Sequence, residues 1–420
     1  MTNKNFSFPS VYDGSSTESE NDDFFDDILS DEEYHEYKKR AFLVSTFAAV
    51  GAIKRMKVER DQAYVRSRIE WHAHVSSLLE EGPHTFARFY RMSYSSFNKL
   101  LKLLKPYLVV DKGMADVKSS KGPIIPEVCL HCLLRWLAGD SYLGIRVAAG
   151  ISVPSFYRVV YKCIDVINQC PQLKYHLPTD LNEAAQNFED ISSHSAISGC
   201  IGVVDGYLLE IQTPATDETG NVKSYFSGHY HKYGVNIQAA CDDKCRFISV
   251  CVAAPGGTND LAAFRETSLS DWVHTLPIGK FMIGDNAYIC SDQLLTPYHS
   301  DEIDDAKKDA YNFYVSQLQI RIEMAFGLMT QKRRILKQPL YVSLKNVGRV
   351  FLAITHLHNF CIDEGCTENY DEEESTSDTV VDWSDFSNVE NLTYIRNNLV
   401  MRKYLVKYIF NLGLVRPTHY

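Results

Sequence analysis

The chain is short of positive charge. Its 420 residues carry 43 Lys and Arg against 53 Asp and Glu, a formal charge of -10. That balance excludes a protein that coats nucleic acid by bulk electrostatics. It also lacks a long apolar run. The most apolar early stretch, Ala41 to Ile53, is too short to span a bilayer. Its flanks show no strong basic face, so no membrane partner is expected. The opening MTNKNFSFPS has no hydrophobic signal core. Eleven cysteines follow no regular spacing, which predicts a reducing compartment. No internal repeat is present.

What is there suits a globular protein of two or three domains: 45% of residues are hydrophobic and 23% charged. The acid is crowded into two places. Residues 1–36 hold Asp22, Asp23, Asp26, Asp27, Asp31, Glu32 and Glu33 with few apolar anchors, and are expected to be disordered. Within them Phe24, Phe25 and Ile28 could form a docking motif or a plain solvated tail. Asp371 to Glu374 crowd an acidic linker over 363–390. Residues 391–420 read as a terminal helix with Arg396, Arg402, Lys403 and Lys407.

Residues 37–180 read as a helical domain. Ser93 caps a helix stopped by Pro106, and Asp111 to Gly122 is a loop. Three short helices follow over 126–168, broken at Gly139-Asp140 and at Gly150 to Pro154. Short helices joined by tight glycine turns resemble a helix-turn-helix. Arg158 and Lys162 on the last of them could meet a DNA backbone. A plain helical bundle with solvated charges is the competing reading.

Over 196–362 the period changes from helix to strand. Ala196 to Val204 predicts a strand ending at Asp205-Gly206, and Tyr207 to Ile211 continues it. Tyr233 to Ala240 and Phe247 to Ala253 are further strands. Leu261 to Val273 is a helix, Lys280 to Ile283 a short strand before Gly284-Asp285, and Val347 to Ile362 a helix. The fold class is therefore α/β, a mixed sheet flanked by helices.

The segment Tyr311 to Leu336 is helical by spacing, with Val315, Leu318, Ile322, Ala325, Phe326 and Met329 on one face. Glu323 falls at the edge of that face. A buried acid needs a cation or a hydrogen-bond partner, and a rim pairing with Arg321 would suffice. Two more acids change that reading. Asp205 and Asp285 each follow an apolar strand. If those strands are parallel neighbours, both carboxylates emerge on one edge of the sheet, where function gathers in open α/β sheets. Three acids that close stay ionised only with cations among them. Hard oxygen ligands suit Mg²⁺ or Mn²⁺, and two ions about 3.5–4 Å apart can activate water and stabilise the leaving oxygen of a phosphodiester.

The motifs VVDG, GDNAY and NFYVSQLQIRIEMAFGLM resemble those of the Harbinger superfamily of DDE transposases, including its domesticated nuclease-like relatives. The segment PGGTNDLAAF and the upstream LLRWLAGDSYLGIRVAAGISVPSFYRVV are similar to the family's loop-and-helix and helix-turn-helix regions. The resemblance covers roughly Phe89 to Ile362. It implies an RNase H-like nuclease domain, with Asp205, Asp285 and Glu323 as metal-binding catalytic acids. It implies cleavage of DNA at element ends and strand transfer by a 3′-hydroxyl. It also implies a separate Myb-like (SANT-like) partner that binds DNA and brings the enzyme into the nucleus; a homo-oligomer is compatible with it. The family often has a basic residue where this chain has Gln319. Arg321, Lys332, Arg333 and Arg334 could supply that charge, or simply form a solvated basic helix end.

Other signals read more simply. Cys129 and Cys132 look like half a zinc site without a second pair. His356, His358 and Cys361 read as packing residues. His229, Tyr230 and His231 read as a polar loop that could touch DNA. Asn259 or Asp260 caps the helix from Leu261, and Asp260 reads first as that N-cap and second as an additional site acid. The rival functions are a domesticated non-catalytic adaptor and a nuclease that cuts without transposing.

Overall fold

The computed structural model describes residues 67–110, 122–366 and 399–417. The acidic tail 1–36 with Phe24, Phe25 and Ile28, the run Ala41 to Ile53, the loop 111–121, Arg396 and nearly all of the acidic linker lie outside them.

The helical part opens with α1 (Trp71–Glu80), α2 (Pro83–Tyr90) and α3 (Tyr94–Leu108). Ser93 caps α3 by accepting from the Ser96 N–H at 3.0 Å. Pro106 does not stop α3, which runs on to Leu108. A proline forfeits a single helical hydrogen bond there, at a helix end already losing partners. Then come α4 (Pro126–Leu137), α5 (Tyr142–Ala148) and α6 (Val153–Gln169). The last two meet at 99° across a turn holding Gly150, whose φ is +65°. A Cβ on Gly150 would lie 2.1 Å from the Ser67 carbonyl oxygen, so glycine is required by both backbone and space. Among the described residues no single helix is long and apolar enough to cross a membrane.

After α7 (Leu181–Ile191) the chain enters the sheet: β1 (Cys200–Glu210), β2 (Phe226–Ser227), β3 (Lys232–Cys241) and β4 (Phe247–Pro255). Two short helices follow, α8 (Asp260–Arg265) and α9 (Ser268–Val273), where one was expected. Thr267 divides them by capping α9 through the Ser270 N–H at 3.1 Å. Next are β5 (Phe281–Ile283) and β6 (Leu294–Leu295), then α10 (Ala306–Lys332), α11 (Leu344–Asp363) and α12 (Val400–Asn411). Asp305 starts α10 by accepting from the N–H groups of Lys307 and Lys308 at 3.0 and 2.9 Å.

β1 lies between β3, antiparallel, and β5, parallel; β6 extends the β5 side in parallel, and β4 pairs antiparallel with β3. Side chains alternate across the sheet. Val203, Ile237, Ala239 and Ile283 face a core shared with Leu318, Ile322 and Phe326 of α10. Val204, Ala240 and Met282 face a smaller core with Phe264 of α8 and Leu269 of α9. The sheet is thus covered by α10 on one side and by α8 and α9 on the other.

Candidate active site

β1 passes through Asp205-Gly206 without a break. It runs on to Glu210, paired all the way with β3, so Asp205 lies inside it. The β5 side is different. There the pairing ends at Val203 opposite Ile283, and β5 itself stops. Asp205 and Asp285 each stand two residues beyond that pair, on parallel neighbours. β1 keeps one partner and loses the other, and the aspartates sit where the sheet opens. By alternation Asp205 shares the face of Val203 and Tyr207, and Tyr207 stacks on Phe326 of α10 at 4.8 Å. That is the face from which α10 presents Glu323.

Asp260 comes from the opposite side. It is not the cap: Asn259 caps α8, accepting from the Ala262 N–H at 2.8 Å. A different network holds Asp260. Its Oδ1 accepts from Asn236 Nδ2 at 2.9 Å and from Gln238 Nε2 at 3.0 Å. Gln238 Nε2 also donates to Asn236 Oδ1 at 2.8 Å, and the Tyr288 hydroxyl donates to Gln238 Oε1 at 2.7 Å. Gly206 makes room for the carboxylate, since a Cβ there would lie 2.2 Å from Asp260 Oδ1. Gly284 makes room for the Tyr288 ring in the same way, at 2.9 Å. The glycines of VVDG and GDNAY are therefore packing requirements.

The electrostatics follow. Burial pushes the Asp205 carboxyl well above the usual range; the charges of Asp285, Asp260 and Glu323 add to it, against one hydrogen bond from the Gly206 N–H. Burial likewise raises Asp285 to about 6, helped by Asp260 and Glu323 and opposed by the Ala287 N–H. Partial enclosure raises Glu323, although its side chain is exposed to solvent. None of these four acids forms an ion pair among the described residues. Asp205, Asp260 and Asp285 also raise the phenols of Tyr288 and Tyr230, in both cases after burial. Tyr230 is exposed, within reach of the acids' charges. Asn236, Gln238 and Tyr288 carry no recognisable motif in the sequence; the Tyr at the end of GDNAY was the one available signal.

The simple pairing of Glu323 with Arg321 is absent, because Arg321 hydrogen-bonds with the Cys245 thiol instead. Lys332 and Arg333 are buried and cannot reach DNA. Arg334 is half-buried, with its Cβ 3.1 Å from where one on Gly139 would sit. None of these residues replaces the charge absent at Gln319, itself buried. On α6 Arg158 is exposed, whereas Lys162 donates to the Leu108 carbonyl at 3.2 Å.

The donor chemistry suits a hard divalent cation: several carboxylates, raised in pKa, with no basic partner. The acids are near enough for their charges to act on one another but do not form a closed cage, and among the described residues no three His, Cys, Asp or Glu are arranged as ready ligands. Like charges without a cation between them stand apart.

Comparison with known proteins addresses the same segment. Residues 204–359 match the family described as DDE superfamily endonuclease. The chain is similar to an ALP1-like protein of Arabidopsis thaliana, 21% identical over 67% of this chain and 71% of the relative. It is also similar to HARBI1, a protein carrying a nuclease name, from Rattus norvegicus (26% identical, 58% of this chain, 69% of the relative) and Homo sapiens (24%, with the same coverage). No solved structure matches the chain. The match begins at Val204 beside the first aspartate and runs past Glu323 into α11, so residues 204–359 belong to the DDE superfamily endonucleases.

Proposed function

We propose that this chain is a divalent-metal-dependent DNA endonuclease. In this reading Asp205, Asp285 and Glu323 hold Mg²⁺ or Mn²⁺, and Asp260 adds negative charge from the other side of the sheet. The observation that carries it is the pairing of Val203 with Ile283, which sets two aspartates side by side where β1 and β5 part. The strand order supports an RNase H-like layer: β4, β3 and β1 antiparallel, then β5 and β6 parallel to β1, with the two-residue β2 also paired on β3.

Bound ions would activate the attacking oxygen and stabilise the leaving one. The protein's own groups do the rest. Asp205 and Asp285 face the opening from adjacent strands. Glu323, without an ion-pair partner among the described residues, can turn toward them from α10. The Asn236–Gln238–Tyr288 network fixes Asp260. The Tyr230 phenol, kept protonated by partial burial and then by the nearby acids, can donate to a phosphate oxygen. A 3′-hydroxyl in place of water would turn cleavage into strand transfer. Arg158 on α6, beyond the 99° turn, offers a backbone contact of helix-turn-helix type. The net acidity fits a division of labour in which a Myb-like partner binds DNA and carries the enzyme into the nucleus.

A second reading, a non-catalytic adaptor, is favoured by Gln319, which leaves the site without a basic side chain. Nicking of supercoiled DNA separates the two. The nuclease reading expects Mg²⁺- or Mn²⁺-dependent nicking that Asp205→Asn and Asp285→Asn each abolish. Nicking unchanged in both variants sinks it, and no cleavage with or without the partner favours the adaptor.

A further inference from the structure

The basic end of α10 does something other than meet DNA. Arg333 is 1% exposed. Its Nη2 donates to Cys361 Sγ at 3.6 Å, and its Nε and Nη1 are buried without a partner. An enclosed guanidinium requires an anion. The groups that favour its charge are two thiols, Cys361 and Cys366.

The end of α11 brings those thiols together. Gly365 takes a φ of +64°, its N–H bonds the Ile362 carbonyl at 3.0 Å, and the Cys366 N–H bonds the Cys361 carbonyl at 2.8 Å. This is a Schellman ending, which presses the residue after the glycine onto the one five places back, ordinarily through an apolar contact. Here both residues are cysteines, and their thiols hydrogen-bond. In its thiol form Cys366 Sγ also donates to Ser96 Oγ at 3.4 Å.

We propose that Cys361 and Cys366 form a thiol–thiolate pair that neutralises Arg333, and a modification site at which hydroperoxide oxidants close a disulfide. The hydrogen bond from Cys361 holds Cys366 down to about 5, aided by Ser96, the Ser93 backbone and Lys332 and opposed by burial. Cys361 is pushed well up by the same bond and by burial, so it keeps the proton. The other charged or titratable groups around the pair are Arg91 near α3, Lys332, His358 on α11, and Glu364, which accepts from Ser96 Oγ at 3.4 Å and pairs with Lys99 at 2.7 Å. In the reaction the Cys366 thiolate attacks hydrogen peroxide, the O–O bond breaks, the sulfur becomes a sulfenic acid, and the departing hydroxide takes a proton from solvent. The Cys361 sulfur then attacks it. The S–S bond forms, and hydroxide leaves with the Cys361 proton as water. Two electrons pass from sulfur to the peroxide, which is reduced to two waters. Arg333 loses its anion at the end of the helix that carries Glu323.

Thiolate absorbance of the full chain near 240 nm, followed against pH, tests the charge. The difference between wild type and Cys366→Ser should step near pH 5. No step, or one only near an ordinary thiol's value of about 8.5, overturns the proposal. Hydrogen peroxide treatment of the wild type, followed by denaturing alkylation and mass spectrometry, tests the bond. The peptide holding both cysteines should lose two hydrogens and resist alkylation. Full alkylation of both, or pairing with a different cysteine, overturns it.

Discussion

Val203 and Ile283 are the last paired residues of two parallel strands, and Asp205 and Asp285 follow each of them at the same distance. Within β1 a two-residue offset preserves the face of Val203 at Asp205, while Asp285 follows the end of β5 in a turn closed by the Ala287 N–H.

This alignment is a burden to the metal-free protein. Asp285 is raised to about 6 from an unfolded value near 4. The folded state therefore binds more protons than the unfolded one between these values. The stability this group contributes is full below about pH 4 and is lost as pH rises through 6. The difference is on the order of 2–3 kcal/mol. Metal-free protein should melt at a higher temperature at pH 4.5 than at pH 7 by comparison with Asp285→Asn, whose profile should be flatter. Parallel profiles would show that Asp285 is not strained.

Gly206→Ala should affect activity more than stability. The new Cβ meets the tip of the Asp260 side chain, which can yield, and not backbone. Displaced Asp260 loses two amide donors, at about 1 kcal/mol each. Nicking should fall at least tenfold while urea unfolding shifts by about 1–2 kcal/mol. A fully active variant would mean that the held position of Asp260 is irrelevant.

Gln319→Arg restores a basic side chain one helical turn before Glu323. One added phosphate contact steepens the salt dependence of DNA binding by about one unit of log K per log salt. Binding titrations across a salt series measure this directly. An unchanged slope would place Gln319 out of reach of the phosphate backbone.

Asn359 is a prediction about the scaffold alone. Its amide brackets Phe247, accepting from the backbone N–H at 2.8 Å and donating to the carbonyl at 2.7 Å, as a further strand would. Asn359→Leu leaves both groups buried without partners and should cost about 2–4 kcal/mol. Chemical denaturation checks it, and a shift below 1 kcal/mol would mean water replaces the amide.

Much of this was legible in the chain. Alternation marked β3 and β4, helical spacing marked α10 and α11, and glycine turns separated α4, α5 and α6. What failed depended on partners. The run Tyr207 to Ile211 marked the continuation of β1, but no local pattern says that the strand passes Asp205-Gly206 unbroken; β3 holds it there from another part of the sequence. The two-residue β6 is defined only by lying beside β5. Asp260 looked like a cap because Asn259, the residue before it, is equally able to cap; the amides that hold Asp260 sit on β3. Lys332 and Arg333 looked solvated, as basic residues at a helix end usually are, yet both are buried near thiols of a different helix.

The central claim is that Asp205, Asp285 and Glu323 hold divalent cations at the opening between β1 and β5. Crystals grown with Mn²⁺ and measured at the manganese absorption edge test it most directly. The account predicts anomalous density between Asp205 and Asp285, with the Glu323 carboxylate turned toward it. Saturating Mn²⁺ that leaves this cleft without anomalous density would contradict it.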